Sequence, residues 1–453
     1  MVLLSSSMTH SMKEDSTADK AETGVTGAAA AAAKPATSKL RILGGKALEG
    51  DIRVGGMKNA ATPILAATLL VQGECVIDNV PRLSDVERML DILRSLGSRV
   101  EWTGTNQVTV DTRAANIASL DSRAVKSMRS SILLMGPLLS RFHEVAIPEP
   151  GGCNLGNRPI DDHLNVLRSL GAEVTRDGAD YRLTTTGLKG GIARPVFSVT
   201  ATENAVMAAV LASGRTEIRI AAAEPHVEDL CRFLNAAGAR ISGMGTHTLV
   251  VDGVATLQSV RHRVIPDQIE TATFAVLGAL TKGTLHIRGV DPSQLDMILL
   301  VLGRAGVRYT LEGDVLTMEK PQSMNAFKVQ TLPYPGFPTD AQALFGLLAT
   351  QCVGTSLVHD PMFDGRFGYI GELQKMGANA TVCDPHRVLV SGPTPLYGTE
   401  IRSLDLRAGA TLVIAGLVAQ GETLIHGAEI IDRGYEALHD RLAACGAEIA
   451  RVA

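Results

Sequence analysis

One pattern constrains this chain more than any other: Leu-x-x-x-Gly followed at once by a short run that ends in a β-branched or aromatic residue. It starts at Leu93, Leu167, Leu234, Leu302, Leu373 and Leu442, the fifth copy stretched by one residue. Its glycines, 97, 171, 238, 306, 377 and 446, recur about every 70 residues. A leucine-bearing helical face closed by glycine, then β-formers, reads as a helix ending in a left-handed cap and running into a strand. Half a period away lies a second set of segments, apolar on nearly every face: 59–72, 128–140, 203–213, 271–282, 341–351 and 408–420. Such helices belong inside a core rather than on its surface. The repeat is longer than the 20 to 50 residues typical of solenoids, so the copies read as two globular α/β domains of three units each.

Polar residues gather where those apolar helices begin. Lys58 and Asn59 precede the first, Arg129 opens the second, and Thr202-Glu203, Asp267 to Glu270, Asp340 and Arg407 open the others. Helix N-termini carry free N–H groups and partial positive charge, so several aimed at one cleft favour an anion. Capping accounts for Asn59, Thr202 and Asp340. It does not account for Lys58, Arg129 or Arg407, because a cation at a helix N-terminus needs a compensating anion.

A glycine-flexed segment, Pro150-Gly151-Gly152-Cys153-Asn154-Leu155-Gly156-Asn157-Arg158, sets a thiol five positions before a guanidinium. Fixed positive charge makes a thiol more acidic and fits it to act as nucleophile or proton donor, while arginine grips carboxylate or phosphate. A surface turn holding a buried cysteine is the plain alternative.

The 453 residues suffice for two ordinary cores. A net charge of -4 and 4% aromatic content give neither a basic footprint nor stacking platforms, which argues against nucleic acid as a partner. No apolar run reaches the length of a membrane span. Six scattered cysteines without Cys-x-x-Cys pairs point to reduced thiols and a cytoplasmic location, and no histidine spacing calls for a metal. Residues 1–38, rich in Ser, Thr and Ala with alanines at 28 to 33, read as a disordered tail.

Eight motifs in order, from Gly55-Gly56-Met57-Lys58-Asn59-Ala60 through Met128-Arg129-Ser130-Ser131, the Cys153 loop, Thr202-Glu203-Asn204, Pro266-Asp267-Gln268-Ile269-Glu270, Phe337-Pro338-Thr339-Asp340 and Asp405-Leu406-Arg407-Ala408 to Asp432-Arg433-Gly434-Tyr435-Glu436, resemble those of the enolpyruvyl transferases. The likeness runs from about Leu40 to the C-terminus. It implies two inside-out α/β barrel domains, each of three repeated units, with substrates in the cleft between them. The implied boundaries are 39–57 plus 266–453 for a discontinuous domain and 58–265 for a continuous one. The implied reaction transfers the enolpyruvyl group of phosphoenolpyruvate to the 3′-hydroxyl of UDP-N-acetylglucosamine, without cofactor or metal, in a monomer or weak oligomer.

By the same resemblance Lys58, Arg158 and Arg433 contact phosphoenolpyruvate, Asn59, Arg129 and the loop at Val199, Thr200 and Thr202 face the UDP-sugar, and Asp340 is the base. Cys153 is the acid or assists phosphate departure. Pro159, Ile160, Asp161, Met362, Arg366 and Arg407 complete the implied substrate site. Thr200 and Gly365 depart from the family pattern, which often has glycine and asparagine there. The alternatives are a shikimate-pathway carboxyvinyltransferase, whose Gly-Asn-Ala-Gly-Thr-type motif is absent here, a paralogue using another nucleotide sugar, and an inactive member serving as a binding protein.

Overall fold

In the computed structural model, residues 38–120, 125–126, 128–148, 159–178, 180–281, 283–319 and 323–452 are described. The six repeat glycines all adopt positive φ, from 80° at Gly306 to 106° at Gly238. Each closes its helix the same way. The Gly97 N–H donates to the Arg94 carbonyl at 2.9 Å and the Ser98 N–H to that of Leu93 at 3.1 Å, and the last copy repeats this at Gly446 to Ala443 and Ala447 to Leu442. These paired bonds are the Schellman closure, and only a residue tolerant of left-handed φ sits comfortably at its turn. The capped helices are Ser84–Ser95, Asp161–Ser169, Pro225–Ala236, Asp296–Arg304, Gly368–Lys375 and Leu438–Ala444.

The apolar segments form the helices Lys58–Ala67, Met135–Phe142, Val199–Ala209, Gln268–Thr281, Gln342–Ala349 and Leu406–Val418. Every residue of Gln268–Thr281 is buried. The second differs from the expected single helix: Arg129–Leu134 is a 3₁₀ helix leading into Met135–Phe142. Ser131 donates its hydroxyl back to the Met128 carbonyl at 2.6 Å, a local bond that competes with α geometry.

One unit shows the plan. Ile192–Ala193 pairs parallel with Arg215–Arg219 across the buried helix Val199–Ala209, and Arg240–Ser242 and Thr248–Asp252 complete a sheet behind it. Four other four-stranded sheets share this order, and a three-stranded sheet of described residues has the same antiparallel part. Helices Gln268–Thr281, Gln342–Ala349 and Leu406–Val418 pack on one another with the sheets outside, as an inside-out barrel requires.

Two strands change partners. Gly50–Arg53 leads toward helix Lys58–Ala67 yet pairs with Leu285–Arg288, while Val260–Arg263 leads toward Gln268–Thr281 yet pairs with Glu74–Asp78. The crossing is marked by an antiparallel bridge between Gly56 and Pro266. A Cβ at Gly56 would lie 1.7 Å from the Asn79 carbonyl oxygen, so nothing larger than glycine fits there. Buried apolar side chains form two clusters, one from residues 40–54 and 269–447, the other from 57–264.

Candidate active site

Helix starts from both clusters meet at carboxylates. Lys58 opens Lys58–Ala67, and its ammonium lies 2.6 Å from Asp85, which sits in the first turn of Ser84–Ser95. Arg433, from the other cluster's side of the seam, donates from Nε to Asp85 Oδ1 at 3.0 Å. Burial pulls the Lys58 proton affinity down, Asp85 opposes that, and Arg407 and Arg433 add to it. The carboxyl of Asp85 stays below its ordinary value: burial opposes ionisation, but Lys58 and Arg433 outweigh it.

Asp340 stands in the 3₁₀ turn Thr339–Ala341 ahead of Gln342–Ala349. It accepts from Arg366 at 3.0 Å and from Arg407 at 3.4 Å. Arg407 also lies 3.6 Å from Asp267 and 5.3 Å above the Tyr435 ring, whose hydroxyl bonds Thr273 at 2.8 Å. Asp405 caps Leu406–Val418 by accepting from the Arg407 and Ala408 N–H groups, which fixes the stem of Arg407. Burial favours a neutral Asp340, yet Arg366 and Arg407 hold its carboxyl far below the ordinary aspartate value. Asp267 goes the other way, because burial outweighs Arg407. Lys58 acts on Asp340 and Arg407 on Lys58, so the two groups form one electrostatic cluster.

The anions that these helix-start cations require are supplied by the protein itself. Lys58 and Arg407 do not stand uncompensated at their helix starts: Asp85, Asp340 and Asp267 lie against them. The anions arrive from helices far away in sequence, where no local pattern ties them to those cations.

A second group gathers on Asn204. Its side-chain oxygen accepts from the Gly136 N–H at 2.7 Å, and its Nδ2 reaches the Ile132 carbonyl and His163 Nδ1, both at 3.0 Å. Thr200 bonds His163 Nε2 at 3.1 Å. Burial, aided by Arg129, pushes His163 down to about 3. The Thr202 hydroxyl is committed within the fold, donating to the Ser198 carbonyl at 2.8 Å and accepting from the Ala222 N–H at 2.9 Å. Asn59 is half-buried beside Lys58, Val199 opens its helix, Ile160 is buried next to exposed Pro159, and Asp161 begins Asp161–Ser169. The Met362 N–H donates to Asp360 at 3.0 Å. Cys153 and Arg158 lie outside the described residues.

Sequence reasoning passed over Asp85, quoted Asn204 only as part of a motif, and gave His163 no role. Asp85 looks like any first-turn acid, and the other two sit in helices whose apolar neighbours dominate the pattern. The remaining thiols narrow the search for a reactive one. Burial pushes Cys75, Cys231 and Cys352 up to about 12 and raises Cys445, while Cys383 is exposed.

Residues 42–442 match the family model for EPSP synthase (3-phosphoshikimate 1-carboxyvinyltransferase). The chain belongs to this family of enolpyruvyl transferases. The transferase is 43% identical over 419 residues, 91% of its own length and 99% of the relative's, to UDP-N-acetylglucosamine 1-carboxyvinyltransferase of Dichelobacter nodosus. A relative of the same name from Carboxydothermus hydrogenoformans is 42% identical over 91% of this chain and 98% of its own. Among solved structures, the enolpyruvyl transferase NikO from Streptomyces tendae superposes with a TM-score of 0.84 at 26% identity, covering 92% of this transferase and 99% of NikO. EPSP synthase from Acinetobacter baumannii shares the fold, with a TM-score of 0.71 at 20% identity over 92% of this transferase and 100% of that chain. Among the described residues of the transferase no cluster of His, Cys, Asp and Glu could hold a metal ion, and no helix is long and apolar enough to cross a membrane.

Proposed function

We propose that the enzyme transfers the enolpyruvyl group of phosphoenolpyruvate to the 3′-hydroxyl of UDP-N-acetylglucosamine and releases phosphate, the first committed step of peptidoglycan precursor synthesis. The observation that carries this reading is the meeting of Lys58, Arg366, Arg407 and Arg433, drawn from both apolar clusters, around Asp85, Asp340 and Asp267. Four cations held by carboxylates, buried at Asp85 and Asp267 and half-buried at Asp340, suit a small, highly charged anion that must be desolvated to react. The relatives' names supply the acceptor. The two clusters are read as the two domains, 39–57 plus 266–453 and 58–265, with the substrates between them.

In this reading the methylene carbon of phosphoenolpyruvate is protonated, the sugar hydroxyl adds to the cationic carbon and gives up its proton, and the tetrahedral adduct loses phosphate together with a proton from the new methyl group, which restores the double bond. Lys58, Arg158 and Arg433 bind the phosphoenolpyruvate, and Arg407 and Arg366 supply further positive charge. Cys153 is the proton donor or assists phosphate departure. Asn59, Arg129 and the loop at Val199, Thr200 and Thr202 are assigned to the UDP-sugar side, and Pro159, Ile160, Asp161 and Met362 complete the substrate site. Asp340 takes the hydroxyl proton. Two arginines make it a weak base, so this role needs an anionic substrate to share Arg366 and Arg407 and return proton affinity to the carboxylate. The five described cysteines are free thiols, in keeping with a cytoplasmic site of action.

Phosphate release from phosphoenolpyruvate, measured with UDP-N-acetylglucosamine, with other UDP-sugars and with shikimate 3-phosphate, tests the assignment. Preference for UDP-N-acetylglucosamine is expected. A faster reaction with shikimate 3-phosphate or another UDP-sugar would reassign the acceptor.

A further inference from the structure

We propose that Asp85 is a positioning residue for the transfer reaction, holding Lys58 and Arg433, one cation from each apolar cluster, at the spacing in which they grip phosphoenolpyruvate. The proposal rests on the functional reading above, because that reading places both cations on the substrate.

The carboxylate is divided among its partners. Oδ1 accepts from Arg433 Nε at 3.0 Å and from Arg88 at 3.1 Å. Oδ2 lies 2.6 Å from Lys58 Nζ and accepts from Arg433 Nη2 at 3.4 Å. The Asp85 side chain is 1% exposed. A buried carboxylate is unfavourable unless paired, so its partners are what keep it ionised. Helix capping does not explain this arrangement, since both oxygens are turned to cationic side chains. Next to Asp85, the Ser84 N–H donates to the Asp432 carbonyl at 3.3 Å, so the backbone beside each member of the pair is joined across the same seam.

Removing the carboxylate has two consequences. Lys58, Arg433, Arg88 and Arg407 would face one another with less negative charge between them, and Lys58 and Arg433 would separate. Lys58, already pulled down by burial, would lose the group that restores its proton, while Arg407 and Arg433 continue to lower it. The preorganised grip is thereby lost, which weakens binding of the phosphoenolpyruvate trianion more than that of the UDP-sugar.

The test compares Asp85→Asn, Asp85→Glu and Arg88→Gln in the full chain. Asp85→Asn is expected to weaken phosphoenolpyruvate about tenfold, by calorimetric binding and by KM, with UDP-N-acetylglucosamine affinity within about twofold of the parent. The alkaline limb of kcat/KM for phosphoenolpyruvate should move to lower pH, a shift that loss of packing alone does not produce. Asp85→Glu, which keeps the charge on a longer arm, should fall between parent and Asn, and Arg88→Gln should bind phosphoenolpyruvate as the parent does. Unchanged or tighter phosphoenolpyruvate binding in Asp85→Asn overturns the proposal, as does equal weakening of both substrates. If Asp85→Asn does not fold, Asp85→Glu decides: parental phosphoenolpyruvate affinity overturns the proposal, and a selective loss supports it. A parent enzyme that ignores UDP-N-acetylglucosamine while Asp85→Asn still loses phosphoenolpyruvate strikes the acceptor assignment and leaves Asp85 in its role.

Discussion

Asp340 is the residue at which charge and function pull hardest against each other. It is ionised because Arg366 and Arg407 overcome its burial, and the same arginines reduce its appetite for a proton. A general base in that setting works only while substrate anions occupy its arginines. Asp340→Asn should therefore lower kcat by about 10² or more while leaving UDP-sugar affinity near the parent value. Turnover within a few fold of the parent would remove Asp340 from the base role. The site's cations were legible in the sequence because Lys58 and Arg407 violate the helix-dipole preference. Asp267 and Asp340 were named beside them, but Asp85 was not: a first-turn acid obeys that preference and attracts no notice.

At the scale of elements, the repeat was readable because each Schellman turn requires left-handed φ and its glycine recurs at a fixed distance. Gly238 tests this cleanly. Its φ is 106° and no atom lies within 4 Å of a Cβ built there, so Gly238→Ala should destabilise the fold by about 1 kcal/mol through backbone strain alone, read as a lower denaturant midpoint. Helix-to-helix polar contacts were less readable. His163, on Asp161–Ser169, accepts at Nδ1 from Asn204 of Val199–Ala209, so a proton on that nitrogen would set donor against donor. Burial takes His163 to about 3 and His226 to about 4, the latter despite Asp340 and Asp229. In the unfolded chain both titrate near 6.5, so the stability they contribute is complete above that pH and is lost as pH falls toward their folded values. The expected loss between pH 6.5 and 4 is at most about 1.4 kcal/mol per pH unit for each histidine. Thermal unfolding across that range checks it, and the acid-side slope should shrink in His163→Leu.

Across the whole molecule, the seam between the two apolar clusters is stitched away from the ion cluster as well as at it. Glu436 accepts from the Arg82 N–H at 2.9 Å and from Asn106 at 3.0 Å, and Glu224 accepts from the Tyr334 N–H at 3.4 Å. The ion pairs of Asp85 with Lys58 and Arg433 add to these bonds. Glu436→Ala deletes two of the stitches without touching Lys58, Asp340, Arg407 or Arg433. Small-angle scattering should show a larger radius of gyration for that variant without substrates, reversed by UDP-N-acetylglucosamine, with KM for phosphoenolpyruvate raised about two- to fivefold. An unchanged radius and KM would mean that Glu436 does not hold the seam.

Periodicity and local backbone chemistry act over a few residues, so the sequence alone determined the six capped helices, the six apolar ones and the strands behind them, and with them the α/β class. Helix-start chemistry picked out Lys58 and Arg407 for the same reason, while Arg366 and Arg433 came only from the family resemblance. Which strand closes which sheet was decided only in three dimensions. Gly50–Arg53 and Val260–Arg263 exchange partners across some two hundred residues, and the contact that permits it is the bare Gly56 backbone against Asn79. Pairing of charge was decided there too, since an ion pair depends on the distance between side chains in space, and Asp85 meets Arg433 across 348 positions of chain.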